Sequence, residues 1–332
     1  MESELSFSAA DLAQTRFAVS PMWEVVTSYR TLRSEADPGP HRRWAAQVRP
    51  RLVEAGLDRG WLAALIPAEG FIADFLNPTP GSPFPTLDTE LDAIARSTTP
   101  AQLGHDLDLL AAARPDGRLA PRLRVLREAP EAGLEKIVAE IRAYWELALA
   151  PYWARLRDLL EADIFHRARQ VAEHGSAHVL NELHETVRWD SGGLRLVRRH
   201  CSLSRDETGA GLLLVPSAFT WPRVHTRSVP PEPPQLAYPA RGIGTLWEPR
   251  ATGAVDAVAA VLGKSRTLLL TELDTPASTT QLARHSGLSA AGVSQHLTAL
   301  RDAGLVTAHR AGRSVLYART AVADALLTAG AA

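Results

Sequence analysis

The chain has 332 residues, 45% of them hydrophobic and 22% charged, with eight Trp and a formal net charge of −1. That length calls for two or three domains. The composition reads as globular and soluble, and the near-zero charge excludes a uniformly basic protein. A single cysteine, Cys201, excludes an intrachain disulfide and an all-Cys zinc site.

Residues 1–14, MESELSFSAADLAQ, offer neither a basic nor an apolar signal region, so no signal peptide is expected. No uncharged apolar run reaches membrane-spanning length. The expectation is a cytoplasmic protein without membrane contact. Lys136 and Lys264 are the only lysines, and this Arg bias suggests a high-GC bacterial genome.

In chain order, residues 7–12 have the form of a helix start, with Ser8 as N-cap and Phe7 placed to staple onto Leu12. That helix is expected to stop near Ser20-Pro21, and a second to carry Trp23, Val26 and Tyr29 on one face. The Pro-rich run 77–85 fits neither helix nor central strand and predicts a loop. A long helical stretch is predicted over 134–183, interrupted at Pro151 and at Gly175-Ser176. After Val187 the pattern changes. Residues 194–200 and 211–215 read as strands joined in a hairpin through 206–210, and Pro-rich segments follow over 229–234 and 238–242.

The informative run is 278–306. Ser278 with Gln281 has the spacing of a capping box, so a helix starts there. Leu282 and the small Ala283 face inward, and Gly287 supplies the left-handed residue that ends the helix. Ser289 caps the next helix. There Val293, Leu297 and Leu300 form the buried stripe. The opposite face carries Ala291, Gln295, Thr298 and Asp302, with Ser294 at its edge. Small residues at the start and hydrogen-bonding side chains one turn on are what a recognition helix needs. Gln295 has the geometry to pair bidentately with adenine, and Ser294 and Thr298 to reach base edges or phosphates. Gly304 closes the helix. Strands over 305–310 and 313–319 then make a wing with Arg310 and Arg313 at its tip, where phosphate or minor-groove contact is expected. Two upstream helices, over 254–262 and 265–273, complete the domain. Residues 251–332 hold seven Lys/Arg against five acids, while the remainder holds 29 against 32. That tilt suits a polyanion partner at this end.

Gly263, Arg266, Leu269, Leu270, Leu282, Ala283, 287–289 and 293–306 together resemble the ArsR-type winged-helix repressors. The resemblance covers roughly 70 residues, and it implies DNA binding. The metal ligands of the family's metal sensors are missing. The first helix of the motif reads Thr279-Thr-Gln-Leu-Ala-Arg, without Cys, and the last helix, over 321–327, has no His. More loosely, 7–12, Ser20-Pro21, 73–78, 151–153, Asp163, Arg167 and 187–190 resemble an uncharacterised domain found before ArsR-like helices in actinobacterial regulators. That resemblance implies an effector or dimerisation domain and names no ligand.

Searches for other chemistry return little. His174 and His178 are four apart, with His184 or Glu185 as a third ligand to consider, but Gly175-Ser176 interrupts their helix and no metal site is expected. Cys201 and His200, adjacent on a strand, point to opposite faces. Neither a Gly-x-Gly-x-x-Gly loop nor a Gly-x-Ser-x-Gly elbow occurs. The best aromatic cluster for an apolar ligand pocket is Tyr144, Trp145, Tyr152 and Trp153.

The expected fold class is mainly α with minor β. A helical effector or dimerisation domain spans 1–186, a strand-rich and Pro-rich section packed on it spans 187–247, and a winged helix-turn-helix spans 248–332. The expected protein is a non-enzymatic, homodimeric repressor that binds an inverted repeat of double-stranded DNA and needs no cofactor. Its N-terminal part would sense an organic effector or a partner. The alternative is a constitutive regulator whose N-terminal part is a protein-interaction or dimerisation module.

Overall fold

Side-chain caps and prolines set the helix starts. Ser20 accepts a hydrogen bond from the Trp23 amide at 3.2 Å with Pro21 in the first turn. Thr86 and Thr99 cap two later helices in the same way. The computed structural model describes residues 3–6, 9–114, 117–190, 193–196, 210–248, 255–311 and 314–328. In chain order the helices are α1 (Ala9–Ala13), α2 (Pro21–Arg33), α3 (Arg42–Glu54), α4 (Trp61–Leu65), α5 (Leu87–Ser97), α6 (Pro100–Ala112), α7 (Pro121–Glu128), α8 (Pro130–Ala148), α9 (Trp153–His174), α10 (Ser176–Asn181), α11 (Val255–Leu262), α12 (Lys264–Glu272), α13 (Thr279–Ser286), α14 (Ala290–Asp302) and α15 (Ala321–Thr328). The strands are β1 (Ser3–Ser6), β2 (Arg16–Phe17), β3 (Val187–Asp190), β4 (Gly193–Leu196), β5 (Leu213–Ser217), β6 (His225–Arg227), β7 (Gln235–Pro239), β8 (Ala277–Ser278), β9 (Val306–Ala311) and β10 (Ser314–Arg319). The chain is mainly α with minor β. The predicted breaks at Pro151 and Gly175-Ser176 are where α8, α9 and α10 part.

Two compact units form, and neither follows the linear division expected at 186 and 247. The first comprises Met1–Gly39, Leu57–Ile141 and Leu159–Ile243; the second comprises Pro40–Gly56, Arg142–Asp158 and Gly244–Ala332. Hydrophobic periodicity marks elements but carries no information on which distant segments share a core.

The first unit holds two small sheets. One is antiparallel, in the order β1-β4-β3, and the other has the order β2-β5-β7-β6. Strand β5 runs parallel to both β2 and β7, while β6 is antiparallel to β7. Every residue of β5 is buried, as expected for a parallel strand covered on both faces. Trp23 of α2 packs with Leu213, Val215 and Ala237 and donates its indole N–H to Gln235 Oε1 at 2.8 Å. The hairpin expected between 194–200 and 211–215 does not form, because β4 and β5 lie in different sheets. The first expected helix is also shorter than its pattern suggested, ending at Ala13 before Arg16–Phe17 joins β5. Phe7 and Ser8 lie outside the described residues, as do 197–209 with His200 and Cys201.

In the second unit α11–α15 and β8–β10 close around Leu269, Leu270, Leu282, Val293, Leu297 and Leu300, each at most 1% exposed. Fully burying a leucine is worth about 1.5–3 kcal/mol, so each leucine of this cluster helps hold the domain together. The wing strands pack against the 3-10 turn Ala150–Tyr152. Nearby, the Trp44 and Trp247 rings lie 6.4 Å apart and nearly parallel, with Tyr152 edge-on to Trp247 at 5.4 Å.

Candidate nucleic-acid interface

Short-range chemistry builds the helix-turn-helix. Ser278 Oγ accepts from the Gln281 amide at 3.3 Å, and Gln281 Oε1 accepts from the Ser278 amide at 2.9 Å, completing the capping box. Gly287 ends α13 at φ 72°, a left-handed conformation that glycine adopts without strain. Ser289 then accepts from the Gly292 amide at 3.1 Å and starts α14. The turn is thus fixed by groups within four residues of one another.

Helix α14 buries Val293, Leu297 and Leu300 and exposes Ser289, Ala291, Ser294, Gln295 and Thr298. Gln295 makes no hydrogen bond to any described residue, so both ends of its carboxamide remain available. Thr298 donates its hydroxyl to the Ser294 carbonyl at 3.0 Å. It therefore presents an acceptor oxygen outward. Arg284 and His285 on α13 are also exposed; their basic character was visible in the sequence but lay outside the recognition-helix pattern.

The wing is a hairpin of β9 and β10, with β8 on the other side of β10. Arg310 is exposed and sits opposite Val315. Arg313 lies outside the described residues. Along β9, His309 Nδ1 is 3.2 Å from Glu146 Oε2 and its Nε2 is 2.8 Å from Thr307 Oγ1.

The four aromatic residues grouped by sequence do not share one pocket. Tyr144 is fully buried and Trp145 stacks at a tilt on Trp153 with centroids 4.8 Å apart. Tyr152 lines a cavity of about 310 Å³ together with Trp44 and Trp247, two residues far from it in the chain. The His174 and His178 rings lie 4.8 Å apart. However, His184 is engaged by Thr186 Oγ1 at 2.8 Å and the Pro222 carbonyl at 3.0 Å. Among the described residues no three His, Cys, Asp or Glu side chains converge on a metal position.

Residues 267–308, from within α12 to the start of the wing, match the family described as bacterial regulatory protein, arsR family. The chain carries an ArsR-family helix-turn-helix. Residues 102–244 match a family of unknown function (DUF5937), so the ArsR-family domain follows an uncharacterised one. No curated protein and no solved structure matches the chain. A protein with an ArsR-family domain whose recognition helix is intact is a DNA-binding transcriptional regulator. Among the described residues no helix is long and apolar enough to cross a membrane.

Proposed function

We propose that this chain is a sequence-specific cytoplasmic repressor that binds an inverted repeat as a homodimer, with the part outside the winged helix sensing an organic ligand. The observation that carries the reading is the exposed polar face of α14, above all the unengaged carboxamide of Gln295 over a fully buried Val293-Leu297-Leu300 stripe. In this reading Gln295 pairs with a base edge, Ser294 and Thr298 reach bases or phosphates, and Ser289 and Ala291 let the helix start approach the groove. Arg310 and Arg313 hold the backbone.

Dimerisation is supported by α11 and α15, which touch each other and leave Val261 84% and Val322 64% exposed. Helix α15 also buries Ala323 and Leu327, so it is apolar on both faces. A second copy related by a two-fold axis would cover the outer one. Ligand sensing is supported by the cavity next to the winged helix.

The test is selection of bound DNA from a random duplex pool by the full-length protein at near-physiological salt. The expected product is an inverted repeat with half-sites about 10 base pairs apart, or a multiple of that spacing. A folded protein that enriches no sequence would refute sequence-specific binding, and enrichment of a single unrepeated half-site would refute the dimer.

A further inference from the structure

The cavity lies wholly within the second unit, and its walls come from three separate stretches of chain. One side is aromatic. Trp44 donates its indole N–H to the Ala148 carbonyl at 2.9 Å, Trp247 donates to His41 Nδ1 at 3.0 Å, and Tyr152 donates to Gln47 Oε1 at 2.8 Å. With those polar atoms engaged elsewhere, the three rings offer the cavity mainly carbon surface. The other side is charged, with three arginines against two aspartates. Arg319 takes both acids, Asp274 at 2.9 Å and Asp324 at 2.8 Å, and Arg155 stands 3.7 Å from Asp274. Arg43, exposed at the rim, reaches the Trp247 carbonyl at 3.5 Å and meets no carboxylate among the described residues. A volume of about 310 Å³ is at the lower end of the range for small-molecule sites.

We infer that this cavity is the effector site and that it takes a planar aromatic acid, its ring among Trp44, Tyr152 and Trp247 and its carboxylate on Arg43. The inference rests on the ligand-sensing reading above and gives that reading a location and a ligand class. An apolar slot selects a ring, and a cation lacking a protein counter-ion selects an anion over its neutral isostere. The floor explains why occupancy would matter. It includes the turn Asp274-Thr275-Pro276, immediately ahead of β8, and Arg319 at the end of the wing strand β10.

The test titrates the full-length protein with benzoate and 2-naphthoate, and with the neutral 2-naphthamide, by calorimetry and Trp fluorescence. The selected operator duplex is titrated separately with and without each acid. Expected is saturable binding of at least one acid, weakened about tenfold or more by Arg43→Gln, while 2-naphthamide binds parent and variant alike. Ala154→Trp, which fills the cavity, should abolish acid binding yet still bind operator; that operator binding shows the variant is folded. No acid binding up to millimolar concentrations, or binding indifferent to Arg43→Gln, overturns the site. Arg43-dependent binding that leaves operator affinity unchanged supports the site and refutes ligand sensing. The two ideas therefore fail by different results.

Discussion

Two glutamates in the first unit predict an unusual pH response. Glu24 on α2 is 0% exposed and accepts from the Ala218 amide, with both carboxylate oxygens at 3.2 Å. Glu90 on α5 is 2% exposed and accepts from the Met22 amide at 2.8 Å. Burial pushes both up to about 8, so the folded protein holds both protonated at neutral pH. An unfolded glutamate titrates near 4.5. Between those two values the native state binds more protons than the unfolded chain, so stability must fall as pH rises through that window and level off above about 8. At about 1.4 kcal/mol per pH unit, each glutamate accounts for about 3–5 kcal/mol lost between the two limits. Glu24→Gln and Glu90→Gln keep an acceptor oxygen for the amide donors and remove the titration. Urea unfolding followed by Trp emission suits the test, because Trp23 adjoins Glu24 and is 2% exposed. The parent should lose stability steadily from pH 5 to pH 8. The double variant should match it at pH 5 and exceed it above pH 8. A parent midpoint constant across that range, or variants destabilised equally at both ends, would show that these carboxyls ionise at their ordinary values.

Gln295→Ala should relax sequence preference at one base pair, costing about 1–3 kcal/mol on the selected operator. Arg310→Ala should weaken all sequences alike and flatten the salt dependence. Identical behaviour in a competition assay would show that α14 is wrongly oriented. Ser278→Ala removes one half of the capping box and should cost the winged helix about 1 kcal/mol, seen as faster amide exchange in α13. Arg319→Met removes a 5% exposed guanidinium from Asp274 and Asp324. It should cost about 2–4 kcal/mol, somewhat less than a fully buried pair because Asp274 keeps Arg155 nearby. Thermal unfolding checks it, and Asp324→Asn should recover part of the loss. Residues 248–332 expressed alone should be less stable than in the full chain, since they lose Ala150–Tyr152 beneath the wing and Glu146 beside His309. Differential scanning of both proteins decides it.

The winged helix was legible because local rules fix it. Ser278, Gln281, Gly287, Ser289 and Gly304 each act within a few positions, and the i, i+4, i+7 stripe of α14 needs only its own sequence. The sheets of the first unit were not legible. Strand β2 has two residues, and Arg16 pairs with Leu213 across nearly the whole unit, so no periodicity marks it. The aromatic cluster read from the chain is spread out for a related reason. Tyr144, Trp145, Tyr152 and Trp153 are neighbours in the chain, but a helix and a 3-10 turn send them in different directions. Trp145 and Trp153 turn on each other, and Tyr152 lines one cavity with Trp44 and Trp247. A pocket assembled from three stretches of chain leaves no compact signature in any of them.

That assembly has a mechanical consequence for regulation. Asp274 accepts from Arg319 on β10 and lies beside Arg155 on α9, so the turn before β8 is tied to two of the walls that a ligand would touch. Strand β8 is only Ala277–Ser278, and both residues pair with β10, at Tyr317 and Leu316. Ser278 is also the cap of α13. The path from Asp274 in the cavity wall to Ser278 at the start of the helix-turn-helix is therefore five residues long and paired with the wing at its last two. A ligand with its ring among Trp44, Tyr152 and Trp247 and its carboxylate on Arg43 would press on this turn, and through it on the β8–β10 pairing and the α13 cap. A ligand shifts an equilibrium only through different affinity for its two states. Here the difference would reside in how the turn at Asp274 sits against the occupied cavity, and substituting Asp274, which lines that cavity, should change the ligand response more than the base preference.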